Sequence, residues 1–271
     1  MLKTYFNQSD VVDRTLLEAD QLSYAVLFNV LGGTVKKIVT DHKRIIIAHT
    51  APVFPTWIWA PDDVTAEELD TIYQVLLKEF APVQDYRFNT KYEIASYLMK
   101  RFLQEEQIPM HITVNIAAYE CPAPVPPKKQ VDGKLELLKK EETELAARMI
   151  REASLAIGDR VFSLEESLEA AKEQLERQSL YIWRDGKGQP VAFCDRNEDD
   201  HYTKVSQVYT IPEARGKNYA GRMIYEICVD IVEKGQMPML YADADYIPSN
   251  RCYQNIGFEL KGKIATFECK K

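Results

Sequence analysis

The stretch VSQVYTIPEARGKNYAGRMIYEI, residues 205–227, constrains the fold of this chain most. It reads as a strand, a polar turn and a helix whose apolar positions Ala220, Ile224, Ile227 and Ile231 recur at helical spacing. The strand MLYADAD follows, then a short helix at SNRCYQN and a last hairpin through Gly262. Upstream, LELLKKEE reads as a short strand, and a helix runs through Leu145, Met149 and Ala153. SLEESLEAAKEQLERQ opens with a capping box, Ser163 with Glu166, and spaces Leu164, Leu168 and Leu175 on one face. LYIWRDGKGQPVAFC is a hairpin around Asp185–Gly186, and the polar turn DRNEDDHYTK, with His201, leads into the central strand. Strands interleaved with helices make an α/β unit on a mixed sheet.

The clearest boundary is ECPAPVPPKKQVDGK, where four prolines hold the chain extended and deny it donors. It divides an N-terminal domain (1–119), a proline-rich linker (120–133) and a C-terminal domain (134–271), as a length of 271 residues favours. The N-terminal part is mixed α+β. Apolar and aromatic runs in SYAVLFNVLGG and RIIIAHTAPVFPTWIWA precede a helix capped by Thr65 and Glu68. KYEIASYLMKRFLQ is a second helix and MHITVNIAAYE a strand. No internal repeat is visible in the sequence.

A net charge of -7 disfavours nucleic acid as the main partner, since phosphate binding wants a basic face, and suits a cationic acceptor. The five cysteines form no CxxC pair, and the histidines stand at no metal-ligand spacing with them. No segment reaches the roughly 20 apolar residues of a membrane span, and the start has no signal-peptide core. The expectation is a cytoplasmic chain, free of metal and membrane.

At the turn before the helix, the first backbone N–H groups have no partner within the helix, and the dipole favours negative charge. Gly216 and Ala220 keep the backbone approachable, while Arg215 and Lys217 add positive charge, a set that suits a phosphate or pyrophosphate. An ordinary helix start with exposed cations would read the same way. The spacing is neither a Walker A loop nor GxGxxG.

VYTIPEARGKNYAGRMI resembles the acetyl-CoA signature of the GNAT superfamily of N-acetyltransferases, R/Q-x-x-G-x-G/A, with Arg215 first and Ala220 last. Asn218 stands where the middle glycine would be, and asparagine tolerates left-handed backbone angles. NRCYQNIGFEL resembles the family's later N-x-x-Y-x-x-x-G-F segment. The resemblance covers about residues 134–271. It implies a GNAT-like mixed sheet flanked by helices, and acetyl transfer from acetyl-CoA to a primary amine by direct attack on the thioester. It further implies pairing of Val208, Tyr209 and Thr210 with the pantetheine arm and a phosphate cradle of Arg215, Gly216, Lys217, Asn218, Tyr219 and Ala220. Asn250 would contact the acyl or pantetheine portion, and Tyr253 would be the general acid. The N-terminal domain is a candidate degenerate copy of the same fold, able to wall one side of the cleft.

The general base is not legible. Glu213 reads as a carboxylate propping Arg215, and Asp243 and Asp245 as either attractors of a cationic amine or plain turn formers. Cys252 lacks a nearby activating histidine and reads as a small core residue. Trp57 and Trp59 read as packing residues. The alternative to an enzyme is a non-catalytic acyl-CoA-binding sensor module, and after it an interaction scaffold. Oligomerisation is open.

Overall fold

The computed structural model describes residues 2–8, 11–33, 35–158, 161–198 and 202–269, which leaves His201 outside them. Two compact units emerge, one of residues 1–118, 242–246 and 261–271, the other of residues 119–241 and 247–260. The division differs from a single cut at the proline-rich stretch.

The first unit contains β1 (Lys3–Gln8), α1 (Ala25–Leu31), β2 (Val35–Thr40), β3 (Ile46–His49), β4 (Thr56–Trp59), α2 (Ala66–Glu79), β5 (Arg87–Lys91), α3 (Tyr92–Glu106) and most of β6 (Met110–Glu120). The second contains β7 (Lys134–Leu137), α4 (Thr143–Ile157), α5 (Leu164–Glu176), β8 (Leu180–Arg184), β9 (Pro190–Glu198), β10 (Tyr202–Thr210), α6 (Tyr219–Glu233), α7 (Ile247–Ile256) and most of β11 (Met237–Asp243). The last strand, β12 (Glu259–Cys269), returns to the first unit, where it pairs antiparallel with β5.

Each half of the chain runs through the same order. β1 pairs antiparallel with β2 as β7 does with β8, and β2–β3–β4 and β8–β9–β10 are antiparallel meanders. β4 crosses through α2 to a parallel β5, as β10 crosses through α6 to a parallel β11. The α/β class is as expected, and the two halves share one strand–helix topology. The repeat is invisible in sequence because it is carried by pairing and not by identical residues.

The continuous apolar runs of β3 and β4 reflect burial on both faces. Ile47 and Ile58 join Ile72, Leu76 and Phe88 on one side. Ile46, Ala48, Trp57 and Trp59 join Leu17, Leu27 and Leu31 on the other. Both capping boxes form, Thr65 with Glu68 and Ser163 with Glu166. Three expectations need correction. In α5 the buried face is Ser167, Ala171, Gln174 and Leu175, while Leu164 is 64% exposed. Part of the expected polar turn is strand, since β9 runs to Glu198 and β10 starts at Tyr202. Gly262 makes no hairpin but lies inside the single strand β12, and a side chain there would run into the Ser23 hydroxyl. A glycine in a strand interior marks such close approach as readily as a turn.

The proline-rich stretch is a strap and not a spacer. Cys121 N donates to Pro238 O at 2.9 Å and Val125 N to Ile256 O at 2.6 Å. The Trp183 indole donates to Asp132 O at 2.9 Å.

Candidate active site

The candidate site lies where β10 and β11 part. Their parallel pairing runs only from Tyr202↔Met237 to Lys204↔Met239, and no further pair forms among the described residues. On its other edge β10 stays paired with β9, with a register shift between Ser206 and Tyr209 where Gln207 takes φ 52°. This bulge bends the strand and strengthens its twist. Val208, Tyr209 and Thr210 follow it on the diverging segment.

Beyond Thr210, Ile211 N donates to Val191 O at 3.1 Å, and a turn over Pro212–Ala214 leads to the loop before α6. Gly216 has φ +72°, and no atom lies within 4 Å of where a side chain would begin, so the glycine serves backbone angle and open approach. Asn218 caps α6 at φ 74°, ψ 18°, the left-handed geometry that asparagine tolerates. Its side chain makes no capping bond to the helix; instead its amide donates to Lys129 O on the strap at 3.3 Å. The amides at the start of α6 are therefore left to another acceptor.

Arg215 Nε donates to Thr210 O at 3.1 Å, and the guanidinium lies 5.8 Å from the Tyr209 ring centre. The Tyr219 hydroxyl donates to Asp132 Oδ1 at 2.8 Å, and Gly186 N donates to Asp132 Oδ2 at 2.8 Å. These two bonds, the Tyr219 one first, hold the Asp132 carboxyl below the usual carboxylate range. The strap thus pins both the loop and the β8–β9 hairpin.

A cleft of about 930 Å³ opens beside this loop, a size typical of small-molecule sites. Tyr209, Arg215, Lys217 and Tyr219 line it, with Arg148 and Glu152 from α4. Burial, and next the Glu152 carboxylate, push the Tyr209 phenol up. Sequence reasoning missed Arg148 and Glu152. Their signal is spacing four apart on α4, flanking the buried stripe of Met149, Ile150 and Ala153.

Asn250 and Tyr253 are not among the residues lining that cleft. Both are 8% exposed on α7. Asn250 Oδ1 accepts from the Tyr119 hydroxyl at 2.9 Å, and the Tyr253 ring lies 6.4 Å from Tyr119 and 5.8 Å from Phe258. Burial raises the Tyr253 phenol strongly, with the Cys252 and Cys194 thiols adding to it. Burial likewise pushes the Cys252 thiol up to about 11, which leaves it unreactive at neutral pH. Asp245 accepts from the Asn115 amide at 2.7 Å and its N–H is bound by Asp243 at 3.0 Å, as turn formers would be. Glu213 is exposed on the cleft wall.

Among the described residues the first unit shows no equivalent loop. Past the short pairing of β4 with β5, Lys91 Nζ lies 2.6 Å from both Asp20 and Asp62, and the Trp59 indole donates to Asp20 at 2.8 Å. The start of α2 is closed by its own capping box, and Asp62 and Asp63 stand in the preceding turn. Those carboxylates would repel a phosphate.

Among the described residues no group of three or more His, Cys, Asp or Glu could hold a metal, and no helix is long and apolar enough to cross a membrane.

A family model described as FR47-like protein matches residues 183–266. No curated protein matches the sequence significantly. A GCN5-related N-acetyltransferase from Sphaerobacter thermophilus superposes with a TM-score of 0.73 at 14% identity, covering 99% of this chain and 95% of that one. A Drosophila protein gives 0.66 at 12% identity, covering 99% and 98%. A GNAT-family acetyltransferase from Colwellia psychrerythraea gives 0.60 at 11% identity, covering all of both chains.

Proposed function

From the premise that this chain has the GNAT-superfamily fold, we propose that it transfers an acetyl group from acetyl-CoA to a primary amine. The observation that carries the reading is the parting of β10 from β11 directly before an α6 start that no side chain caps. The exposed backbone of Val208, Tyr209 and Thr210 would pair with the pantetheine arm. Gly216, Asn218 and the first turn of α6 through Tyr219 and Ala220 would cradle the pyrophosphate, with Arg215 and Lys217 adding charge. The net charge of -7 suits a cationic acceptor. We read the protein as acting in the cytoplasm, without metal.

Calorimetric titration with acetyl-CoA tests this directly. Charged hydrogen bonds contribute about 1.5–3 kcal/mol, so an Arg215→Ala, Lys217→Ala double variant is expected to bind at least about tenfold more weakly. A wild-type protein that takes up no acetyl-CoA would sink the reading.

Tyr253 is the proposed acid for the departing thiolate. Its raised pKa keeps the phenol protonated through neutral and moderately alkaline pH, so the proton is present to give. The same shift makes it a weaker donor toward a thiolate of reference pKa near 8.5, unless burial raises that thiolate as well. Tyr253→Phe is expected to cut turnover by about 10²-fold or more while acetyl-CoA binding persists. Unchanged turnover would remove Tyr253 from the chemistry. Its absence from the cleft lining favours the second reading, a non-catalytic acyl-CoA-binding module. Tight acetyl-CoA binding with no amine acetylated would support that alternative.

A further inference from the structure

The wall that α4 gives to the cleft changes character along the helix. Arg148 and Glu152 line it first, and then Leu155 and Ala156, which share the face of Glu152 at the next turn. Glu152 is half-buried, and Val191, Ile211 and Pro212 line the same cleft, so a carboxylate borders an apolar channel. The apolar surface does not end at the cleft. Ile157 closes α4, and the chain then folds back on the helix, where Phe162 N donates to the Ser154 hydroxyl at 3.0 Å. That bond holds Val161 beside the last turn of α4, and Leu164 opens α5. Leu155, Ile157, Val161 and Leu164 are each more than half exposed. Large aliphatic side chains left bare in one stretch, continuous with a cleft, mark a surface that a ligand covers.

We propose that the acceptor is a primary amine carried on an apolar body, its ammonium at Glu152 and its aliphatic or aromatic part along Leu155, Ala156, Ile157 and Val161. The proposal rests on the acyl-transfer reading and narrows its acceptor. A polyamine or an aminosugar would set further charges or hydroxyls against these side chains, and burying polar groups without partners is costly. An apolar body covers the bare surface instead, and each methylene it buries adds affinity. A longer acyl chain on the thioester is the other candidate for this surface. The carboxylate one turn away argues for the amine, because an acyl chain carries no charge for Glu152 to meet.

Calorimetry on the protein saturated with CoA, which has no acetyl group to transfer, is the test. The probes are propylamine, pentylamine and heptylamine, beside cadaverine, the diamine of the middle length. Affinity of the monoamines is expected to rise about three- to fourfold per added methylene, with cadaverine weaker than pentylamine. A Leu155→Ser, Ile157→Ser double variant, changed only at exposed positions, should flatten that rise while CoA binding persists. Glu152→Gln should weaken every amine by about tenfold or more and keep the rise. No amine binding, no dependence on chain length, cadaverine as tight as pentylamine, or an unchanged rise in the double variant would each overturn the proposal. So would octanoyl-CoA that binds much more tightly than acetyl-CoA in the wild type but not in the double variant, a result that gives the surface to the acyl chain. Failure of CoA to bind in the same calorimetry would instead defeat the acyl-transfer reading, and the monoamine series on the free protein would then show whether the groove takes amines at all.

Discussion

Asn218→Val is expected to weaken CoA binding by about tenfold or more, while Asn218→Gly leaves it at wild-type strength or tighter. Asn218 stands at φ 74°, ψ 18° at the head of α6. Left-handed geometry costs an ordinary L-residue roughly 1–2 kcal/mol and is a genuine outlier for a β-branched one. Valine would pull the residue back toward extended angles and turn the first amides of α6 away from the phosphate. A loss of 1.4 kcal/mol is already a factor of ten. Glycine carries no such strain, and gives up only the 3.3 Å bond to Lys129 O, about 1 kcal/mol of strap attachment. Calorimetry with CoA on the three proteins, beside their melting temperatures, separates loop shape from global stability. If valine binds as well as asparagine in a folded protein, the pyrophosphate is not held by this turn.

Local chemistry was legible from the sequence. Both capping boxes, the Asp185–Gly186 hairpin and the strand–turn–helix at 205–227 depend on residues close along the chain, and each is found where its pattern stands. What stayed hidden depends on partners distant in sequence. Trp183 and Tyr219 fix the strap through Asp132, 51 and 87 residues away, and no pattern in ECPAPVPPKKQ encodes that contact. Arg148 and Glu152 look like ordinary solvated positions of an amphipathic helix until the loop is set opposite them. The duplication is the extreme case. A topology can repeat while Asp62 and Asp63 stand before α2, Arg215 and Lys217 stand before α6, and Lys91 forms ion pairs beyond the β4–β5 pairing.

Ending the chain at Leu260 is expected to unfold the N-terminal unit, although no residue before 119 is touched. β12 pairs with β5 from Ile264↔Lys91 to Glu268↔Arg87. Its Ile264, Ala265 and Phe267 are 2%, 1% and 0% exposed, and the Phe267 ring lies 5.3 Å from that of Phe88. Thr266 Oγ1 donates to Asn89 Oδ1 at 2.8 Å, so truncation also strands a buried acceptor, at about 1–3 kcal/mol. Phe267→Ala alone should cost about 3–5 kcal/mol, against a net stability of about 5–15 kcal/mol for a whole domain. Losing the strand removes more than the unit has to spare. Hydrogen exchange resolves which part fails: the β5 amides should lose protection in the truncated chain and keep it in the full one. Protected β5 amides after truncation would mean that β12 is dispensable. The same reasoning inverts the division drawn from the sequence. A fragment 134–271 would carry β12 without its partner β5, an unpaired apolar strand that invites aggregation, whereas a fragment 119–260 keeps the strap and omits that strand.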